Sequence, residues 1–457
     1  ATRLEELTPR TRHDFTIVKS LWKVYIDDIA DQGWLAEVER RYGSLDPEDH
    51  LGRGTLSCTL AVSALCWGHP VQAEAASRRA IHEMRNAGSI LGVNYAFLHF
   101  AHSQLLRGQL REAETLFREA LVMAEENFGA DSGLKALCSA FVGFCLYLKG
   151  DQAASYPLIE SLATTTDGWV DLFATAYEVQ AREAFARSGL AEALDILSRA
   201  SALAAQRQLT RLTRMVAAWR VELLALADRG AEARSEATAS GVFIAAAERG
   251  PPDCQWRVRL AATMAVGRLQ AAAGTTAQAL QLLESAAAEF RASGLLLPSY
   301  RLDALTIVTL KRRGAQEEAL SRLQQLLEYV AAEGAIGILL EHGRDLEHLM
   351  LLAQRRNREL MLSGAQRDLI TKALGLMQQE RPGEKYGFST RELAVLRELC
   401  NGRSNKSIGE ALDLSENTVK FHLKRIFKKL GADSRAGAVN AALQKRLVAP
   451  DDTYPAG

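Results

Sequence analysis

A glycine recurs about every forty residues along most of this chain. Gly68, Gly108, Gly150, Gly189, Gly230, Gly274 and Gly314 are separated by 40, 42, 39, 41, 44 and 40 residues, and each lies in a short polar break between two helical patterns. A period in this range is the signature of stacked helix hairpins, in which each unit buries its apolar face only against its neighbours. Glycine closes the first helix of a unit because it accepts a left-handed backbone without steric cost. Five residues after the glycine an alanine often follows, as at Ala73, Ala113, Ala279 and Ala319. A residue that small lets the second helix lie close against the first. After Gly108 the match is best, because Ala113, Phe117 and Ala120 share one helical face. The units after Gly189 and Gly230 depart from the pattern, since Leu194 and Ser235 stand where alanine is expected, and their register is open.

Composition agrees with helices. The chain has 457 residues, only 10 prolines and 7% aromatics, and its 48% hydrophobic and 24% charged content excludes a disordered or fibrous chain. Length alone is about three domains' worth at ~150 residues each unless the fold is a solenoid. The repeats over roughly residues 50–335 resemble the tetratricopeptide-like helix hairpin, with longer units than its usual ~34 residues. The fold expected is therefore all-α: capping helices over 1–50 (Trp22, Tyr25, Ile29, Trp34), a superhelical solenoid over 51–335, and closing helices over 336–380. Pro382 and Gly383 mark a linker over 381–387, and a separate four-helix domain over 388–448 and a tail over 449–457 follow. Six cysteines in such a length cannot be a disulfide framework. Most sit in apolar helical stretches, which fits small core residues in a reducing compartment, the cytoplasm. No apolar run reaches the ~20 residues needed to span a membrane, and residues 1–6 carry no signal-peptide core.

Net charge is zero, with 55 basic and 55 acidic residues, but the average hides an asymmetry. Residues 385–449 hold 13 lysines and arginines against 6 acidic residues. A basic segment on a mildly acidic body points to a nucleic-acid partner for that segment. The segment also has the punctuation of a helix-turn-helix. Ser389 and Glu392 form a capping box, Leu393, Leu396 and Leu399 give the first buried stripe, and Gly402 ends that helix. A helix from Ser404 to Leu412 follows, then a tight turn at Asp413-Leu414. Ser415 caps a third helix that Gly431 closes, and a fourth begins near Ser434.

On a helical wheel the third helix has two faces. Val419, Leu423, Ile426 and Leu430 fall in one narrow arc, the core face. Phe421, Lys424, Arg425 and Lys428 fall opposite, with Lys420 at the edge. An aromatic in the middle of a cationic face is hard to explain as packing. In a major groove it can meet a thymine methyl while lysines reach guanine edges or phosphates. His422 lies on the core flank, as a packed or phosphate-contacting residue rather than a metal ligand.

These residues resemble the LuxR/GerE-type DNA-binding domain over about residues 386–448: Ser-Thr-Arg-Glu-Leu-Ala-Val-Leu, Gly-Arg-Ser-Asn-Lys-Ser-Ile, Leu-Ser-Glu-Asn-Thr-Val-Lys-Phe-His-Leu, then Lys-Lys-Leu-Gly. Ser407-Ile408-Gly409 stands where that family usually has Glu-Ile-Ala, and Gly409 allows closer helix contact. The resemblance implies base contacts from Lys420, Phe421 and Lys424. It implies phosphate contacts from Ser404, Asn405, Lys406, Thr418 and Lys428, and Arg425 on the same face is placed with them. It also implies a dimer contact on the last helix, about residues 434–445, with double-stranded DNA as the partner. Few apolar residues (Val439, Leu443, Leu447) remain on that helix, so dimerisation is expected on DNA and weak without it. A helix-hairpin solenoid before this domain is similar to the C-terminal half of MalT-type regulators, whose nucleotide-binding ATPase precedes the solenoid. This chain has no Gly-Lys dipeptide and hence no phosphate loop. It is either a C-terminal portion of such a regulator or a short member of the family.

Catalytic and metal motifs are absent: no His-Glu-x-x-His, Cys-x-x-Cys or Gly-x-Ser-x-Gly occurs. Glu341-His342 and Glu347-His348 are spaced poorly for a metal and read as solvated helix ends, so no enzyme, cofactor or metal is expected. The reading is a bacterial transcription regulator, with activation through RNA polymerase implied by the family. Its solenoid would bind a small-molecule or protein effector. The alternative is a scaffold that tethers a protein partner to DNA; an RNA adaptor fits less well, because no stacking aromatics accompany the basic face. By analogy with the repeat family, the groove would present Tyr95, His102, Phe144, Tyr147, Glu183 and Arg268 on the first helices of their units.

Overall fold

A computed structural model describes residues 33–129, 132–160, 170–247, 255–379, 388, 390–412, 414–444 and 447. The described residues form helices and no strand, in two compact units that divide after Ala373.

In the first unit α1 (Gly33–Ser44) is followed by seven hairpins: α2 (His50–Trp67) with α3 (Pro70–Asn86), α4 (Ile90–Leu106) with α5 (Leu110–Phe128), α6 (Gly133–Leu148) with α7 (Gln152–Glu160), α8 (Val170–Arg187) with α9 (Leu190–Arg207), α10 (Thr210–Leu226) with α11 (Gly230–Ala239) and the short α12 (Val242–Ala247), α13 (Trp256–Ala272) with α14 (Thr276–Ala292), and α15 (Leu296–Arg313) with α16 (Gln316–Glu333). Then come α17 (Gly337–Leu340), α18 (Gly343–Arg355) and α19 (Gly364–Gln379), within which the division between the units falls. Val38 of α1 packs on Leu56, Leu60 and Ala76. Trp22, Tyr25, Ile29 and the side chain of Trp34 lie outside the described residues, as does the linker over 381–387.

One local rule sets every hairpin. The small residue four positions after the residue preceding the second helix is fully buried: Ala73, Ala113, Ser155, Ala193, Ala233, Ala279 and Ala319 are each 0% exposed. Each donates its N–H to that preceding residue's carbonyl, closing the first turn of the helix. This settles the register at the two divergent units. Ala193 and Ala233 take the packed position, so Leu194 and Ser235 are displaced from it. In the fifth unit the left-handed turn residue is Asp228 (φ 60°), and Gly230 instead begins α11.

The array returns on itself five units on. Trp256 Nε1 at the start of α13 donates to Leu65 O of α2 at 2.8 Å. A Cβ on Gly68 would lie 3.1 Å from Leu295 and Trp256, one on Gly108 3.2 Å from Tyr329, and one on Gly337 2.5 Å from Tyr147 O. The third of these contacts admits no side chain at all. First helices are therefore packed on nearly every face, and second helices are amphipathic. The interior is filled rather than open.

In the second unit α20 (Thr390–Cys400), α21 (Asn405–Leu412), α22 (Glu416–Leu430) and α23 (Arg435–Gln444) enclose Phe388, Val395, Leu396, Leu399, Ile408, Val419 and Ile426. Leu447 joins this core at 5% exposure and Val439 packs against it. Two of the three apolar residues expected to be left for a dimer partner are thus spent on the domain itself.

Candidate nucleic-acid interface and the solenoid interior

The recognition helix α22 starts at Ser415, whose Oγ accepts the Thr418 N–H at 3.1 Å and lies 2.8 Å from Thr418 Oγ1. It ends at Gly431 in the left-handed conformation (φ 68°). Val419, Leu423, Ile426 and Leu430 are its buried residues, as the wheel requires. Phe421 is 58% exposed although apolar, and Lys420, Lys424, Arg425 and Lys428 are exposed around it. The preceding α21 is capped by Ser404, whose Oγ accepts the Ser407 N–H at 3.2 Å, with Lys406 exposed and Asn405 half-buried beside it. The tight turn between the two helices depends on Gly409: Leu414 N donates to Gly409 O at 2.8 Å, and a Cβ there would lie 2.6 Å from Leu414 O. Asp413 lies outside the described residues.

The cationic face is not uniform. Lys420 Nζ pairs with Glu416 at 2.7 Å, and its hydrogen bond holds that carboxyl below the usual range, with Lys406 adding to the effect. Arg425 Nε pairs with Glu392 Oε1 at 3.2 Å, and its guanidinium stands 5.7 Å over the Phe421 ring. Lys424 and Lys428 have no carboxylate at ion-pair distance among the described residues. The sequence offered Glu392 only as a capping residue and did not show its ion pairs. Its side chain is 1% exposed and its two oxygens take Arg425 and Lys429, so it clamps the recognition helix onto α20. Ser389, its expected capping partner, lies outside the described residues. Other basic residues are also structural: Arg391 donates to Leu412 O at 2.6 Å, and Arg435 to the carbonyls of Leu399 and Arg403.

Inside the solenoid runs a chain of buried ion pairs closed by an arginine–histidine hydrogen bond. Arg182 joins Glu178 (3.3 Å) to Glu222 (2.8 Å), Arg268 joins Glu222 (3.2 Å) to His342 Nδ1 (2.9 Å), and Arg301 joins Glu178 to Glu341 (3.2 Å). Nearby, Asp171 takes Arg257 at 3.1 Å and Arg211 at 3.5 Å. Burial pushes the Glu178 carboxyl up, but Arg301 and Arg182 outweigh it and hold it at about 2. Burial pushes His99 and His102 down to about 3, with Arg257 adding to the effect at His102, and drives His342 well below its ordinary value beside Arg268. Arginine only donates, so His102 Nε2 and His342 Nδ1 must accept from Arg257 and Arg268, and the ring protons sit on His102 Nδ1 and His342 Nε2.

Glu341 and His342 are thus buried network members, not solvated helix ends: both are tied into the returning turn of the superhelix by arginines. Glu347 is half-buried and His348 exposed. The six positions assigned to a groove lie on first helices. His102, Phe144, Tyr147, Glu183 and Arg268 are buried and Tyr95 is half-buried, because opposing first helices close the groove. Only Phe144 among them borders a cavity of about 30 Å³ that has Glu178, Arg182, Arg257 and Arg301 in its wall. Cys58, Cys66, Cys138 and Cys145 are buried free thiols, and Cys400 is buried as well. Among the described residues no cluster of three or more His, Cys, Asp or Glu could hold a metal, and no helix is long and apolar enough to cross a membrane.

Two families match this chain: the MalT-like TPR region over residues 40–357, and bacterial regulatory proteins, luxR family, over residues 387–442. Curated relatives match a part of the chain. The nitrate/nitrite response regulator protein NarP of Escherichia coli is 48% identical over 59 residues, 13% of this chain and 27% of that protein. The nitrate/nitrite response regulator protein NarL of the same species is 31% identical over 114 residues, 25% of this chain and 53% of that protein. The transcriptional regulatory protein YdfI of Bacillus subtilis is 36% identical over 124 residues, 26% and 55% of the two chains. The chain thus spans between about a quarter and a half of the length of these relatives. With the repeat region matched over most of its length and the helix-turn-helix matched beyond it, the chain belongs to the MalT-like TPR family and carries a luxR-family DNA-binding domain at its C-terminal side.

Proposed function

We propose that the chain is a bacterial transcription regulator that binds operator DNA as a dimer through α21 and α22 and activates by contact with RNA polymerase. The repeat region receives the regulatory input, a small molecule or a protein, and the protein works in the cytoplasm. Lys420, Phe421 and Lys424 read bases, with Lys420 exchanging Glu416 for DNA. Ser404, Asn405, Lys406, Thr418, Arg425 and Lys428 hold phosphates. The observation that carries this reading is the 58% exposed Phe421 at the centre of a cationic face. A thymine methyl is the partner such a ring lacks in water. Glu392 and Arg425 act as positioning residues, since they fix the helix and the ring rather than touch bases. Tyr95, His102, Phe144, Tyr147, Glu183 and Arg268 transmit an effector's presence through the interior.

The scaffold alternative draws on the filled interior, which leaves the amphipathic second helices as the surface a protein partner would meet. The test is selection of duplexes by the full chain from a random pool. A single enriched sequence, bound less selectively after Phe421→Ala, supports the reading. Equal retention of all duplexes, or no change on Phe421→Ala, overturns the assigned face.

A further inference from the structure

We propose that the cavity inside the repeat region is a binding site for a small planar carboxylate. The inference rests on the reading of the repeats as the regulatory half, and it names the chemistry of what they bind. The cavity lies where the two turns of the superhelix meet, between Phe144 of α6 on one side and α13 and α15 on the other, with Trp219 of α10 and Trp256 of α13 in its wall. Three aromatic faces suit a flat apolar body.

The polar part of the wall is cationic. It holds three guanidinium groups, of Arg182, Arg257 and Arg301, and one carboxylate, Glu178. Behind it Asp171, Glu222 and Glu341 pair with Arg257, Arg182 and Arg301. A guest therefore meets guanidinium groups that the protein's own carboxylates already hold in place. Arg301 uses Nε and Nη2 for Glu341 and Glu178, which leaves Nη1 for a guest carboxylate. A cationic guest would meet three like charges, and a neutral one would forgo the charge-assisted bond.

The volume of about 30 Å³ holds little more than water, so a planar carboxylate needs the wall to give. Met215 and Met264, unbranched and deformable, form part of that wall. The rest is the seam itself, so a guest held by α13 and α15 on one side and Phe144 on the other reports directly on closure of the superhelix. Binding at this place converts ligand occupancy into a change in how the first and last repeats meet.

The test titrates the full chain with benzoate, phenylacetate and indole-3-acetate, and with the corresponding amides. Tryptophan fluorescence and the thermal midpoint are the signals. At least one carboxylate should quench saturably and raise the midpoint, and its amide should bind roughly tenfold more weakly or worse. Ala261→Val, which narrows the cavity without adding or removing a charge, should abolish the response, and Arg301→Lys should weaken it. Should Arg301→Lys fail to fold, Ala261→Val still decides. No response from any carboxylate at millimolar concentration overturns the proposal. So does equal binding of acid and amide, or an unchanged response in Ala261→Val. Operator selection by the same preparation without ligand reads the parent reading separately.

Discussion

The arginines inside the repeats and the lysines on the recognition helix carry the same charge and are held in opposite ways. Arg182, Arg268 and Arg301 are at most 10% exposed, and each meets carboxylates from other helices. Lys424 and Lys428 are exposed and meet none among the described residues. A buried pair fixes geometry, because removing one partner strands the other charge away from water. An exposed ammonium fixes nothing in its own chain and keeps its counter-ions to exchange for a phosphate. The first kind of charge builds a closed superhelix, and the second is available to a partner.

The sharpest way to break this contrast is to remove a cation from each side. Arg301→Met should lower the stability of the repeat region by about 3–5 kcal/mol, since it strands Glu178 and Glu341. Urea unfolding followed by tryptophan fluorescence measures it, with Trp219 and Trp256 buried beside the network. A loss under about 1 kcal/mol would mean that the pairs do not hold the interior.

The interior should also be sensitive to acid. Folded, His99 and His102 stay neutral down to about 3, whereas an unperturbed imidazole takes its proton near 6.5. Between those values the unfolded chain binds more protons, so stability is whole above about pH 6.5 and is lost as pH falls. Each of the two contributes roughly 1 kcal/mol per pH unit, and His342 acts in the same direction. Calorimetric midpoints between pH 7 and 5 check this, and a flat profile would contradict the buried neutral rings.

Within the DNA-binding domain, Gly409→Ala should cost about 1–3 kcal/mol, because a methyl there lies 2.6 Å from Leu414 O. Circular dichroism melting of this variant sharpens the contrast between a residue that shapes the turn and residues that only display charge. Phe421→Ala, by comparison, should leave the melt within about 0.5 kcal/mol of the parent.

Much of this was legible in advance, and the reasons are local. The hairpins showed because a left-handed turn and a close helix approach each demand one residue type at one place. Where Asp228 supplied the left-handed turn instead of glycine, the register slipped by two positions. The recognition face showed because core and solvent positions alternate with the helical period. What stayed hidden depends on contacts between residues far apart in the chain. Nothing near His342 in sequence says that Arg268, 74 positions away, will bury it, so the pair read as solvated. Likewise the basic excess of residues 385–449 overstates the DNA-facing charge, since Arg391, Arg435 and Lys429 are spent within the domain. Glu392 looked like a capping residue because the local motif was complete, while its partners Arg425 and Lys429 lie a helix-turn-helix away.

The most direct measurement is the affinity of the parent and of Lys424→Ala for the selected duplex across a salt series. The account predicts that Lys424→Ala weakens binding by about 1–3 kcal/mol with an unchanged thermal midpoint. If Lys424 holds a phosphate, the slope of log affinity on log salt should also fall by about one. Affinity and slope both equal to the parent's would contradict the claim that this exposed lysine, held by no carboxylate of its own chain, meets DNA.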